Sequence, residues 1–166
     1  SCKMLKLFNW FGNKVTHPQM KEGIIKCQKV LKKIPNINAG GCGIAVYSIF
    51  LYLKKNNILT KDFQIVSLNP DHNIRSHNQN TAFVNKECKE PMVSYHFGFT
   101  LDGGKTIWDC TGNIAKTKYE LILLIPHKMS EIFCKKILNE NYWNPCFSRE
   151  ENVPVIESKL KIKIIY

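Results

Sequence analysis

The chain has 166 residues, 44% of them hydrophobic and 22% charged, and a formal net charge of +11. That is enough length for one domain, 1–166, with a real hydrophobic core, and the composition is that of an ordinary soluble globular protein. The longest apolar stretches, 44–53 and 121–126, fall short of the roughly 18 residues that a membrane span needs, so no membrane partner is expected.

The opening "SCKMLKLFNWFGNK" has a lysine-flanked apolar patch but no small-residue cleavage site of the signal-peptide kind. Seven cysteines at scattered spacing contain no CxxC pair. Reduced thiols in a cytoplasmic location are the expectation. The positive charge favours acidic partners: an acidic protein surface or nucleic acid. The lysines are spread along the chain, which equally suits a solvated surface, and nothing in their spacing singles out nucleic acid.

Thr16-His17-Pro18 reads as a helix start, with Pro18 in the first turn. Ile24, Ile25, Val30 and Leu31 then fit one helical face as far as Lys33, and Pro35 stops it. "NINAGG" is a loop. "CGIAVYSIFLYLKKNN" follows as a second helix of about four turns, apolar nearly all round, which belongs at the centre of a domain. Asn56-Asn57 ends it.

"DFQIVSL" reads as a strand. The polar stretch after it, 69–91, is expected to be a long loop with a functional or mobile role. "MVSYHFGFTLDGGKTIWDCTG" is two β-rich runs joined by "DGG", a hairpin. "ELILLIP" is a further strand, and "SEIFCKKILNENYW" opens with a Ser/Glu helix start and forms a third helix. The closing "KIKIIY" alternates as an edge strand would, guarded by lysines. Helix, helix, then an antiparallel sheet with a late helix makes the fold class α+β.

In the hairpin, His96 is early in the first run and Asp109 late in the second, so antiparallel pairing makes them cross-strand neighbours. An Asp beside a His orients the imidazole and stabilises its protonated form. The hairpin alone leaves open that the two merely satisfy each other. Cys42 stands where the glycine-rich loop becomes the apolar helix. A thiol in the first turn of a buried helix feels the positive end of the dipole and several free backbone N–H groups, and both favour the thiolate. Gly40, Gly41 and Gly43 make room for a substrate at the sulfur, and N–H groups near Cys42 and Gly43 are candidate oxyanion donors.

Other residues have plainer readings. His72 and His77 read as surface histidines, and Cys110, pointing away from Asp109's side of the strand, reads as a core thiol. Trp108 is a core or rim aromatic, or else part of the substrate-binding surface. A zinc site from Cys42, Cys88 and His96 lacks the close ligand pairs usual in structural zinc sites. Neither metal nor cofactor is expected.

The order Cys on a central helix, His on a strand, Asp on the next strand resembles the papain-like superfamily of cysteine peptidases in its broad sense, including transglutaminase-like and NlpC/P60-like thiol enzymes. "GGCGIAVYSIFLYL" is similar to the nucleophile helix, and "HFGFTLDGGKTIWDCTG" to the His-strand, turn, Asp-strand segment, which often ends in Asp-x-Thr in transglutaminase-like members. The resemblance spans roughly residues 36–113. It implies a papain-like core in which the nucleophile helix packs on an antiparallel sheet. Cys42 becomes the nucleophile, His96 the base and acid, and Asp109 the orienter. Papain-like enzymes place a Gln before the nucleophile as oxyanion donor; Asn36 and Asn38 stand there in this chain. The papain-type Trp after the Cys and the Asp-Cys-Ser-Gly signature are both missing, so no single family is assigned.

The function expected is a cysteine-dependent hydrolase acting on a protein, peptide or other amide- or ester-containing substrate through an acyl-enzyme. An acyltransferase of transglutaminase type is the alternative within that chemistry. Outside it stands a basic binding or inhibitor protein that uses the scaffold without catalysis.

Overall fold

The computed structural model describes residues 17–114, 118–139 and 146–165. The N-terminal patch, Thr16 and the end of the "NENYW" stretch lie outside these. Helix α1 is His17–Leu31, and it buries Met20, Gly23, Ile24, Cys27 and Leu31. These positions recur at helical spacing, but Ile25 does not join them: it lies about 100° round the helix from Ile24 and is 50% exposed. Gly23 lets α1 sit close to the next helix, since a β-carbon there would be 2.5 Å from Ile58 and 3.0 Å from Leu53.

Helix α2, Cys42–Lys55, is the centre of the fold. Every residue from Gly43 to Phe50 is buried, along with Leu53. Its one polar residue in that run, Ser48, donates to the Ile44 carbonyl at 2.6 Å and so leaves no hydroxyl unsatisfied. Each large apolar side chain removed from water contributes about 1.5–3 kcal/mol, so burying this helix all round outweighs anything its capping supplies. Lys54 and Lys55 mark its solvent end, where Asn57 turns into the left-handed region (φ 57°).

Among the described residues five antiparallel strands follow: β1 (Gln64–Asn69), β2 (His96–Thr100), β3 (Ile107–Asp109), β4 (Gly112–Ile114) and β5 (Leu121–Leu124). Their spatial order is β4-β3-β2-β1-β5. Alternation sorts the two faces. Ile65, Phe97 and Phe99 join α2 in the main core, while Val66, Leu68, Ile107 and Tyr119 build a smaller cluster. The architecture is therefore α+β, as the order of elements predicts.

The structure corrects two expectations and adds a helix. The stretch 69–91 is not one long loop: a 3-10 turn, Asp71–Asn73, leads into helix α3, Ile74–Val84. Only Asn80 and Phe83 of α3 are buried, so it carries almost no apolar stripe to betray it. The "KIKIIY" stretch does not form a strand in the described residues. Ile162 and Ile164 do point inwards, but the tail packs beside the helix before it, with the Ile164 N–H donating to Glu157 Oε2 at 2.8 Å. That helix, α5 (Arg149–Leu160), has no counterpart in the sequence reading, because Pro154 interrupts its pattern. Its start is nonetheless signalled by Ser148, whose hydroxyl accepts from the Glu151 N–H at 3.2 Å. Between the sheet and α5 lies α4, Ser130–Asn139, which packs on α2.

Gly41 caps α2 from inside the core rather than from solvent. A β-carbon at that position would be 2.7 Å from the Ile37 carbonyl oxygen and 2.7 Å from the Phe147 ring. Gly41→Ala should therefore lower the unfolding free energy by about 1–3 kcal/mol in urea denaturation, the usual cost of forcing volume into a filled site.

Candidate active site

The buried α2 brings its N-terminus to the place where β2 begins and β3 ends. Cys42 is the first residue of the helix, half-buried, with the Phe97 and Leu138 side chains against Gly43 one residue on. The N-cap residue, Gly41, brings no side chain to cap this end. The first intrahelical bond runs from the Ala45 N–H to the Gly41 carbonyl, so the N–H groups of Cys42, Gly43 and Ile44 have no acceptor within the helix.

The hairpin supplies the other two residues. Phe99 pairs with Trp108, which puts Gly98 opposite Asp109 and makes His96 its diagonal neighbour on the same face. His96 Nε2 lies 3.0 Å from Asp109 Oδ2, and the two side chains are 8% and 9% exposed. Nδ1 is the ring nitrogen that Asp109 leaves open, and Cys42 lies close enough to His96 to favour its charged form. Gly98 keeps the hairpin tight, because a β-carbon there would approach the Trp108 carbonyl oxygen to 2.7 Å.

Asp109 is held from several sides. Its Oδ1 accepts from the Thr111 N–H at 2.7 Å and the Thr111 hydroxyl at 2.6 Å. Its Oδ2 also accepts from Asn38 Nδ2 at 3.3 Å. Its carbonyl accepts from Gln28 Nε2 at 2.8 Å, tying β3 to α1. Thr111 is absent from the sequence reading as a site residue, although Asp-x-Thr is the signal that marks it: an Asp side chain folding back on the N–H two residues ahead.

Tyr119 is the second residue the sequence does not reveal. Its ring stacks on His96 with centroids 5.7 Å apart and planes 6° from parallel. It arrives from the connection between β4 and β5, which no local pattern links to the hairpin.

Burial opposes the charged imidazole of His96. Hydrogen bonds with Asp109 and Cys42, and then the charges of both, outweigh it, and the pKa is pushed up to about 9. Burial likewise opposes the Asp109 carboxylate, but hydrogen bonds with His96 and Thr111 and the charge of His96 hold it below the ordinary carboxylate value. Burial pushes the Cys27 and Cys110 thiols up to about 12 and raises Cys134 also. Those three are poor nucleophiles. Cys42 instead faces a cavity of about 470 Å³, shared with His96, Asp109, Tyr95 and Tyr119.

The remaining expected site residues separate. Asn38 lines the cavity, but its amide is directed to Asp109 and Thr111, so it braces the orienter instead of offering an oxyanion donor. Asn36 is exposed, in the left-handed region (φ 57°), and outside the cavity wall. Gly41 also lies outside that wall, and the space beside it is filled by Phe147. Gly43 does line the cavity, with Phe97 and Leu138 packed on it. Trp108 points to the opposite face, into a separate groove of about 320 Å³ with Ile24, Gln28 and Phe99, because successive strand residues alternate sides. Cys110 is a core thiol, fully buried, donating to Asn38 Oδ1 at 3.2 Å. His72 is exposed and His77 half-buried. Cys88 lies beyond the end of α3, its thiol near the Gln79 and Glu90 carbonyls, and does not join Cys42 and His96. Among the described residues no cluster of three or more His, Cys, Asp or Glu could hold a metal ion, and no helix is long and apolar enough to cross a membrane.

Comparison with protein-family models, curated proteins and solved structures finds no match for this chain.

The His96 pKa gives a pH signature. A group raised from 6.5 to about 9 contributes stability that is fully present below 6.5 and lost as the pH rises through 9. The stability margin of the wild type over His96→Gln should shrink by on the order of 3 kcal/mol across that window, measured by denaturation at fixed pH steps. At the acid end the margin should fall again. Asp109, held below 3.8, contributes stability present above that value and lost as the pH drops through its folded pKa. A margin flat from pH 6 to 10 would contradict the imidazolium assignment.

Proposed function

We propose that this protein is a cysteine hydrolase of peptidase or amidase type, with a papain-like core and Cys42, His96 and Asp109 as its triad. The observation that carries this reading is the convergence of three elements on one open cavity. A thiol on an uncapped helix end meets a histidine whose far nitrogen is already bound to a fully paired carboxylate.

The chemistry follows from that arrangement. The Cys42 proton passes to His96 Nδ1, and the sulfur attacks the substrate carbonyl carbon. Negative charge on the carbonyl oxygen is received by the N–H groups of Cys42 and Gly43, which have no intrahelical acceptor. Collapse breaks the C–N bond of an amide, or the C–O bond of an ester. The leaving group takes the proton from His96, and a thioester to Cys42 remains. Water then attacks the thioester while His96 takes its proton, the carboxylic acid leaves, and the proton returns to the sulfur. Asp109 holds the ring so that one nitrogen faces the sulfur throughout. The reactive thiol suits a reducing compartment such as the cytoplasm.

An electrophile such as iodoacetamide, mapped by mass spectrometry at neutral pH, should label Cys42 before any other cysteine. Hydrolysis of a fluorogenic peptide library should vanish in Cys42→Ala. It should fall by about 10²–10⁴ in His96→Ala, the usual size of a general acid–base contribution. Asp109→Ala should lose less, since the thiolate–imidazolium pair persists with a looser ring. Labelling of Cys42 no faster than the exposed Cys146 would remove the nucleophile. The competing reading, a basic binding protein, draws on the net charge of +11. It would be favoured by full biological activity in Cys42→Ala together with loss on lysine substitution.

A further inference from the structure

The charges around the cavity are unevenly available. Among the described residues that line it, Asp109 is the only carboxylate, and both of its oxygens are engaged, by Thr111 on one side and by His96 and Asn38 on the other. Its charge is matched inside the wall.

The lysine of the wall is set differently. Lys118 is exposed and lines the cavity, its ammonium 5.7 Å from the centroid of the Tyr119 ring, which itself stacks on His96. Lys118 contacts the Tyr119 ring, Tyr119 covers His96, and all three line the cavity that Cys42 faces. The uncapped N-terminus of α2 adds the positive end of a helix dipole. A concave site with a lysine on its wall, a helix N-terminus and an internally matched carboxylate attracts anions and raises their local concentration.

We propose that the cleft selects an acyl donor carrying a carboxylate close to the carbonyl that Cys42 attacks, with Lys118 as the specificity-determining counter-charge. This rests on Cys42 being the nucleophile. A neutral donor would gain nothing from the lysine charge, whereas a carboxylate beside the reacting carbonyl would lie within its field. The Tyr119 ring holds Lys118 over the cavity by a cation–π contact, which limits the freedom an exposed lysine otherwise has.

Two small electrophiles test the charge alone. Iodoacetate and iodoacetamide both form a thioether on sulfur and release iodide, and they differ in a carboxylate against a neutral amide. Rates are read at Cys42 in the full chain by mass spectrometry. The exposed Cys146 serves as reference for the general charge of the protein. The iodoacetate-to-iodoacetamide ratio at Cys42 should exceed that at Cys146. It should fall about fivefold in Lys118→Met, the size expected for one unit charge acting across a partly solvated gap. Lys118→Arg should keep it, and about 0.5 M salt should reduce it in the wild type by screening, a result that needs no variant. Far-ultraviolet circular dichroism checks that the variants fold. A Cys42 that reacts quickly with both reagents, at a ratio unmoved by Lys118→Met and by salt, would overturn the selectivity and leave the nucleophile standing. A Cys42 that reacts with neither faster than Cys146 would overturn both.

Discussion

A carboxylate taken out of water has to be paired at each oxygen, and Asp109 obtains its partners from nearly every element near it. The Thr111 N–H and hydroxyl come from the turn into β4, His96 from β2, and Asn38 from the loop before α2. The Asp109 carbonyl adds Gln28 of α1. Leaving a buried charge uncompensated costs several kcal/mol, so the carboxylate fixes the relative positions of these segments as firmly as apolar packing does. His96 is the one partner that also titrates. The electrostatic demand of Asp109 is thereby handed to the imidazole and through it to Cys42.

The second constraint is the burial of α2. A helix apolar on all sides cannot lie on a surface, so α1, α4, α5 and the sheet must close round it. Its polar ends are then the only parts that can meet water. One is the lysine-rich C-terminus, and the other is the start at Cys42, which opens on the cavity. Core formation and the exposure of one thiol are two results of the same packing. Cys27, Cys110 and Cys134 show the opposite outcome: they lie within the packed layers, where burial keeps the thiol protonated.

The wall of the cavity is built from residues with mixed duties. Tyr119 belongs to the small apolar cluster with Val66, Leu68 and Ile107, and it also covers one face of His96. Behind the start of β2, Ser67, Asn69, Asn80 and Ser94 form a buried polar group. Asn69 Oδ1 accepts from the Tyr95 N–H at 2.8 Å, and the Ser67 and Ser94 hydroxyls lie 2.6 Å apart. That group ties the residues immediately before His96 to β1 and to α3. It also helps to hold α3, which has little apolar surface: beside the buried Phe83 ring, its inward anchor is the amide of Asn80, donating to both serines.

The sequence by itself determined the parts whose signal is local and periodic. The apolar run of α2, the "DGG" hairpin and the strands β1 and β5 declare themselves through spacing and turn residues. The hairpin register alone is enough to bring His96 beside Asp109. The sequence did not determine α3, whose two buried residues are one amide and one ring, or α5, whose pattern is broken by Pro154. Nor did it show that the alternating tail after α5 packs without joining the sheet. Tertiary structure decided which residues share the cavity. It turned Trp108 to the other face, filled the space beside Gly41 with Phe147, and redirected Asn38 to the carboxylate. It also brought Tyr119 and Lys118 to the site. Those outcomes depend on which side chains meet across long separations, and pairing of that kind leaves no period in the chain for a sequence reading to detect.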